Sequence, residues 1–373
     1  MSDLNWLINE GEKNVVAADL MTEALYRLLI SSFDELVKDS GNVKALTTVK
    51  TYRKWGAPLL MNELKKRLTI QSNGPDAMLL AHAFTGYLFG VQPDLIGGEI
   101  KEKGAVGTFQ GCPFAGVGSP DLCLSISHFG SEFEAEMINP EYECVWTHHE
   151  SIGDPYCRYV FKKKSDPIFV LDDLGKTLAV LPRFEVPEEL LRPTRIWLSA
   201  GTLYSNICAF LDLNGEEKSE DAIGGLAKRI GQEMGARVAK ENLQWTESTE
   251  SVGKLVRAMQ NALGQRDNFV IVSESEVANE ITDCSWSVFP SHTDVMCKTF
   301  ESFFKGMVSG INPDFELAYD RMITKGDKDC RWTIKGRPSS NKISEPLKVL
   351  KMRLAEGEIS EEEYKRLKQL LEE

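Results

Sequence analysis

The chain has 373 residues, a formal net charge of −13 and an apolar fraction of 42%. That length suits two domains, or three with a small one, and the acidic balance opposes binding to a nucleic-acid backbone, which needs clustered positive charge. No run of about 18 apolar residues exists, so no membrane span is expected. The start, MSDLNWLINEGEK, lacks a charged leader followed by an apolar stretch. The eight cysteines are therefore expected to be reduced in the cytoplasm, where metal binding or catalysis is a better reading than disulfides.

In chain order, 17–38 places Leu20, Ala24, Leu25, Leu28, Leu29, Phe33 and Leu36 at helical spacing. A second helix is expected over 43–68, broken or kinked at Gly56-Ala57-Pro58, and a third over 75–88 from Pro75-Asp76. Residues 98–110 read as a strand, and 120–137 as a helix with Leu122, Ile126, Phe129, Phe133 and Met137 in one stripe. Residues 141–150 and 156–163 form a hairpin around Gly153-Asp154. A connector over 165–195 holds a further hairpin, IFVLDDLGKTLAVL, and then becomes proline-rich. The order then recurs: helices near 197–211, 220–240 and 248–264, strands at 268–274 and 277–288, a helix at 291–308 and a hairpin at 314–335. After a polar linker, the last thirty residues read as two helices. Ser344 and Pro346 start the first, Gly357 ends it, and Ser360 with Glu363 forms a capping box for the second.

The recurrence is written in the residues. INPEYECVWTHHESIGDPYCR at 138–158 aligns without a gap to INPDFELAYDRMITKGDKDCR at 311–331, with eight identities in 21 positions. Cys112 also pairs with Cys284, and Cys123 with Cys297. A duplicated unit carries its chemistry, or a decayed form of it, in two places. The units are residues 1–164 and 196–336, with the tail at 344–373.

Zinc needs about four ligands, usually Cys and His. In the first unit Cys123 lies on a helix, and His149 and Cys157 lie on the two arms of one hairpin, which brings them together. These three are the expected metal ligands and zinc the expected metal. His128, five residues after Cys123 on a helix, is read as pointing elsewhere. Buried cysteine is also a common core residue, so packing is the competing reading. In the second unit Met322 replaces His149, which suits a decayed site. Gly153-Asp154 and Gly326-Asp327 read as turn chemistry, and Arg158 and Arg331 as partners for Glu143 and Glu316.

At Cys123…His149-Glu-Ser-Ile-Gly-Asp-Pro-Tyr-Cys157-Arg the first unit resembles the 4-vinyl reductase domain, a small-molecule-binding module whose zinc-binding members place cysteines at corresponding points. Trp146 stands where that pattern has glutamate. Both copies also resemble the L-2-amino-thiazoline-4-carboxylic acid hydrolases. The resemblance implies an α/β fold of the α+β kind, with two repeated units of helices packed on an antiparallel sheet. It implies hydrolysis of a cyclic carbon–nitrogen bond. A zinc on Cys123, His149 and Cys157 would then activate water, with Glu150 or Glu143 moving the proton. A metal-free variant would use a cysteine activated by His148 or His149. The alternative is a sensor or carrier with a structural zinc and a bound small molecule, and a third reading is a scaffold without chemistry. The tail, SEPLKVLKMRLAEGEISEEEYKRLKQLLEE, resembles a SHOCT domain, which implies a helical pair that assembles copies of the chain. The expected partners are thus a small-molecule ligand or substrate and another copy of this chain.

Overall fold

The computed structural model describes residues 11–68, 70–101, 103–115, 117, 120–168, 188–241, 248–284, 293–336 and, in the tail, 350, 353–354 and 359–372. The hairpin expected within 168–181, His292, and Ser344, Pro346 and Gly357 of the tail lie outside the described residues.

The α+β class expected from the sequence holds. In the first unit α1 (Gly11–Ser40), α2 (Asn42–Leu68) and α3 (Pro75–Leu88) precede β1 (Ile96–Lys101) and β2 (Gly104–Phe109). A short α4 (Pro120–Cys123) runs through a π-helical turn (Leu124–His128) into α5 (Phe129–Ile138), followed by β3 (Tyr142–His148) and β4 (Cys157–Lys163). The second unit has α6 (Glu188–Asn214), α7 (Glu216–Ser219), a π turn (Glu220–Gly224), α8 (Gly225–Lys240) and α9 (Thr249–Ala262). Then come β5 (Arg266–Ser273), β6 (Glu276–Asp283), α10 (Thr293–Ile311), β7 (Phe315–Arg321) and β8 (Cys330–Gly336). The tail ends in α11 (Glu361–Glu372), where Ser360 Oγ accepts the Glu363 N–H at 3.2 Å as a cap.

Each unit builds one four-stranded antiparallel sheet, ordered β1-β2-β4-β3 and β5-β6-β8-β7. The closing hairpins match in detail. Both slip register at one place, between Trp146 and His148 and between Tyr319 and Arg321. Asp154 Oδ2 accepts the His149 N–H at 2.7 Å, and Asp327 Oδ2 accepts the Met322 N–H at 2.8 Å. Gly153 and Gly326 sit at φ 102° and 94°, where a side chain is strained. Asn139 and Asn312 each fold their side chain onto the N–H two residues on, at 3.0 and 2.9 Å, between a helix end and a strand start.

Two local expectations change. Residues 98–110 are two paired strands, with Lys101 opposite Gly104, so the glycine marks a turn and not a strand interior. The helix over 42–68 runs through Pro58 without interruption. Proline removes one backbone bond, and here it does not end the helix.

The first helices are exchanged between the units. α1 packs on α8 and α9 of the second unit, α6 packs on α2 and α3 of the first, and α1 and α6 pack on each other. Asn206 of α6 donates to the Leu29 carbonyl at 3.1 Å in this buried seam. Arg237 pairs with both oxygens of Glu23, at 2.9 and 2.6 Å. The predicted stripe of α1, including Leu25, Leu28, Leu29, Phe33 and Leu36, is fully buried. One apolar core therefore runs through both units.

Candidate functional site

The cysteines gather as triplets. Cys112, Cys123 and Cys157 are close enough that ionising one opposes ionising the others, and so are Cys284, Cys297 and Cys330. Burial is the largest effect on each of these thiols that shifts. It pushes Cys112 up to about 11 and Cys157 and Cys297 up to about 12. Cys157 Sγ accepts the Glu150 N–H at 3.3 Å, and Cys330 Sγ accepts the Ile323 N–H at 3.1 Å. Cys112, Cys123, Cys157, Cys297 and Cys330 stay protonated at neutral pH, because a raised pKa delays the thiolate until the pH rises toward it. Iodoacetamide at pH 7.5 should label native Cys123 and Cys157 at least about tenfold more slowly than the urea-unfolded chain. Fast labelling of native Cys157, read by peptide mass, would show an open, ionisable thiol instead.

His149 is engaged by a second histidine. Its Nδ1 meets Nε2 of His128 at 3.1 Å, and both imidazoles stack near Trp146, with ring centroids 4.6 to 5.6 Å apart. Burial lowers both histidines, His128 to about 3, with the neighbouring imidazoles adding to it. Both are neutral at physiological pH, which suits a bond with one donor and one acceptor. Among the described residues no group of three or more His, Cys, Asp or Glu is arranged to hold a metal ion.

His128 stands against His149 and Trp146, on a helix that differs from its counterpart in the second unit by a single residue. Cys123 precedes Ile138 by fifteen positions, whereas Cys297 precedes Ile311 by fourteen. The extra residue is absorbed as the π turn Leu124–His128, which α10 lacks. A π turn closes on i→i+5 bonds, so residues five apart share a face that an α-helix would separate.

The groups expected to move protons are each engaged. Glu143 pairs with Lys162 at 2.6 Å. Arg158, expected to take that carboxylate, is buried with Nε and Nη2 unpartnered, and Arg331 Nε is likewise unpartnered. The alternation of β3 sets Glu143 opposite Lys162 on the sheet, with Arg158 further along at His148. Glu150 accepts the N–H groups of Gly111 and Cys112, both at 2.9 Å, and so ties the loop after β2 to the hairpin. Glu143 lies near the start of β3, and Glu150 follows two residues beyond its end. His148 contacts Thr147 Oγ1 at 3.1 Å and stacks on Tyr156.

A different place has the shape of a site. α2, α5 and α6 enclose a cleft open to solvent at its mouth, with a cavity of about 90 Å³. Trp55, Phe89, Ile126, Phe133, Trp197 and Leu198 give it an apolar wall. Three mid-helix glycines, Gly56, Gly130 and Gly201, also line it, and a Cβ at any of them would meet nothing within 4 Å. The second unit is closed at the corresponding seam. There α8 and α10 touch backbone to backbone: a Cβ on Gly231 would lie 2.1 Å from the Phe303 carbonyl oxygen, and one on Gly306 2.1 Å from that of Lys228. In the first unit Phe133 takes the place of Gly306 and Met137 that of Gly310. α2 and α5 are joined across the gap by the ion pairs Lys50–Glu132 at 2.6 Å and Lys54–Glu136 at 3.2 Å.

The polar lining is mostly spoken for. Glu134 accepts from Thr85 Oγ1 at 2.8 Å and bonds His82 Nδ1 at 2.7 Å, all three being buried. Thr202 and Ser205 donate to helix carbonyls, and the Tyr52 hydroxyl to Asp212. Arg53 differs. Its Nε and Nη2 are shielded from solvent without a hydrogen-bond partner, and burial lowers it to about 9.

Residues 345–372 match SHOCT, the Short C-terminal domain. The tail is a SHOCT domain, as its residues implied. Neither the curated proteins nor the solved structures provide a match to the chain. The comparisons give no support to the resemblance of the tandem units to the thiazoline hydrolases or 4-vinyl reductases. No described helix is long and apolar enough to cross a membrane.

Sequence reasoning missed the cleft because its makers read as breakers or fillers. Gly56 was read as part of a helix breaker, whereas here it leaves space beside an unbroken helix. Arg53 carried no signal, being one cation in the run Lys50 to Lys54.

Proposed function

We propose that the chain is a small-molecule-binding protein, a sensor or carrier, whose ligand occupies the cleft of the first unit and whose SHOCT tail joins it to partners or copies. One observation carries the reading: the cleft lies where the first copy departs from the second, with open space beside Gly56, Gly130 and Gly201 and larger side chains, Phe133 and Met137, at the places of Gly306 and Gly310. The second unit then supports the first, since α6 forms one wall of the cleft. Of the groups the hydrolase reading would use, Glu150 lies near Cys112, Cys123 and Cys157, while Glu143 is paired with Lys162.

The test uses N-phenyl-1-naphthylamine, a neutral probe that brightens in apolar sites. The wild-type chain should take it up. Gly201→Leu should weaken uptake at least about tenfold while keeping or raising the thermal midpoint, because leucine favours a helix over glycine. Equal uptake by Gly201→Leu would sink the cleft as the binding site.

A further inference from the structure

We infer that the cleft takes an amphiphilic carboxylate, with Arg53 receiving its headgroup and the apolar wall its tail. The inference rests on the binding role proposed for this cleft and adds the ligand's charge and shape. It follows from comparing the ionisable groups that line or flank the cavity. On α2, Lys50 and Lys54 are already paired with Glu132 and Glu136 of α5. Both oxygens of Glu134 are committed, one to Thr85 and one to His82. Tyr52 is engaged with Asp212. Arg53 alone among these groups keeps guanidinium donors shielded from water and unpartnered.

Leaving shielded guanidinium donors unmet is costly, and a charge-assisted bond removes that cost. The burial that lowers Arg53 acts in the same sense, because an anion alongside would restore it. The guanidinium's planar fork matches a carboxylate through two parallel bonds. The rest of the wall, with Trp55, Phe133, Trp197 and Leu198, offers contact to an apolar body. A small inorganic anion would leave that wall uncovered, and an uncharged hydrocarbon would leave Arg53 unmet. An amphiphile satisfies both.

Decanoate, decanol and decylammonium compete against N-phenyl-1-naphthylamine on the full-length protein at pH 7.5, with wild type, Arg53→Met and Gly201→Leu. The expected result is displacement by decanoate at least about tenfold below the concentration needed for decanol, with decylammonium weakest. Arg53→Met should erase the preference for decanoate while still binding the probe and decanol, and its thermal midpoint without ligand should rise. Equal displacement by decanoate and decanol in the wild type would overturn the carboxylate and leave the binding cleft standing. So would a decanoate preference that survives in Arg53→Met. Failure of the wild type to take up the probe, or equal uptake by Gly201→Leu, would overturn the cleft itself and this inference with it.

Discussion

Gly306→Ala is expected to destabilise the protein by about 3 kcal/mol, while Gly130→Ala, on the equivalent helix of the other unit, is expected to stabilise it by up to about 1 kcal/mol. Helix propensity favours alanine at both positions by a similar amount. The difference lies in what the new Cβ meets. At Gly306 it would sit 2.1 Å from the Lys228 carbonyl oxygen, a backbone atom that can yield only if α8 and α10 separate. Gly231, Gly235 and Gly310 make the same kind of contact, so a local shift at one glycine strains the other three. At Gly130 nothing lies within 4 Å. Urea unfolding of the two variants beside wild type measures both effects. A loss below about 1 kcal/mol at Gly306, or an equal loss at Gly130, would mean that the two seams do not differ as described.

That contrast marks the limit of what the sequence made legible. The elements came through because their signals are local. The stripe of α1, the Pro75-Asp76 start of α3 and the Gly-Asp turns of both hairpins each need only neighbouring residues to be read. The duplication was legible through Ile-Asn-Pro and Cys-Arg, and Asp154 and Asp327 bear it out by holding the same N–H in both copies. The exchange of α1 and α6 was not, since an amphipathic stripe says that a face is buried and not against which unit. The π turn left a trace in the spacing of Cys123 and Ile138, one residue longer than that of Cys297 and Ile311. Reading it requires knowing that the insertion sits inside a helix. The cleft left the least, because open space beside Gly56, Gly130 and Gly201 depends on three helices at once. Attention to cysteine and histidine led to side chains that are packed, stacked or tied to turns.

The second large effect concerns Glu134, which is 1% exposed. Glu134→Leu is expected to cost about 3 kcal/mol, because removing one partner of a buried polar pair leaves the other unmet. His82 would then have both ring nitrogens without a partner, Nε2 lacking one already and being enclosed by Phe109, Trp146, Tyr159 and Phe161. Thr85 would keep only its bond to the Ala81 carbonyl, at 3.0 Å. The double variant His82→Leu, Glu134→Leu should recover much of the loss, since no orphaned imidazole remains in that aromatic box. A double-mutant cycle by urea unfolding reads the coupling, and strictly additive losses would show that the pair does not act as one. The expected coupling also bears on the cleft. His82 and Thr85 hold both oxygens of the carboxylate that lines the same cavity as Arg53. With both oxygens of Glu134 so committed, Nε and Nη2 of Arg53 gain no partner from it.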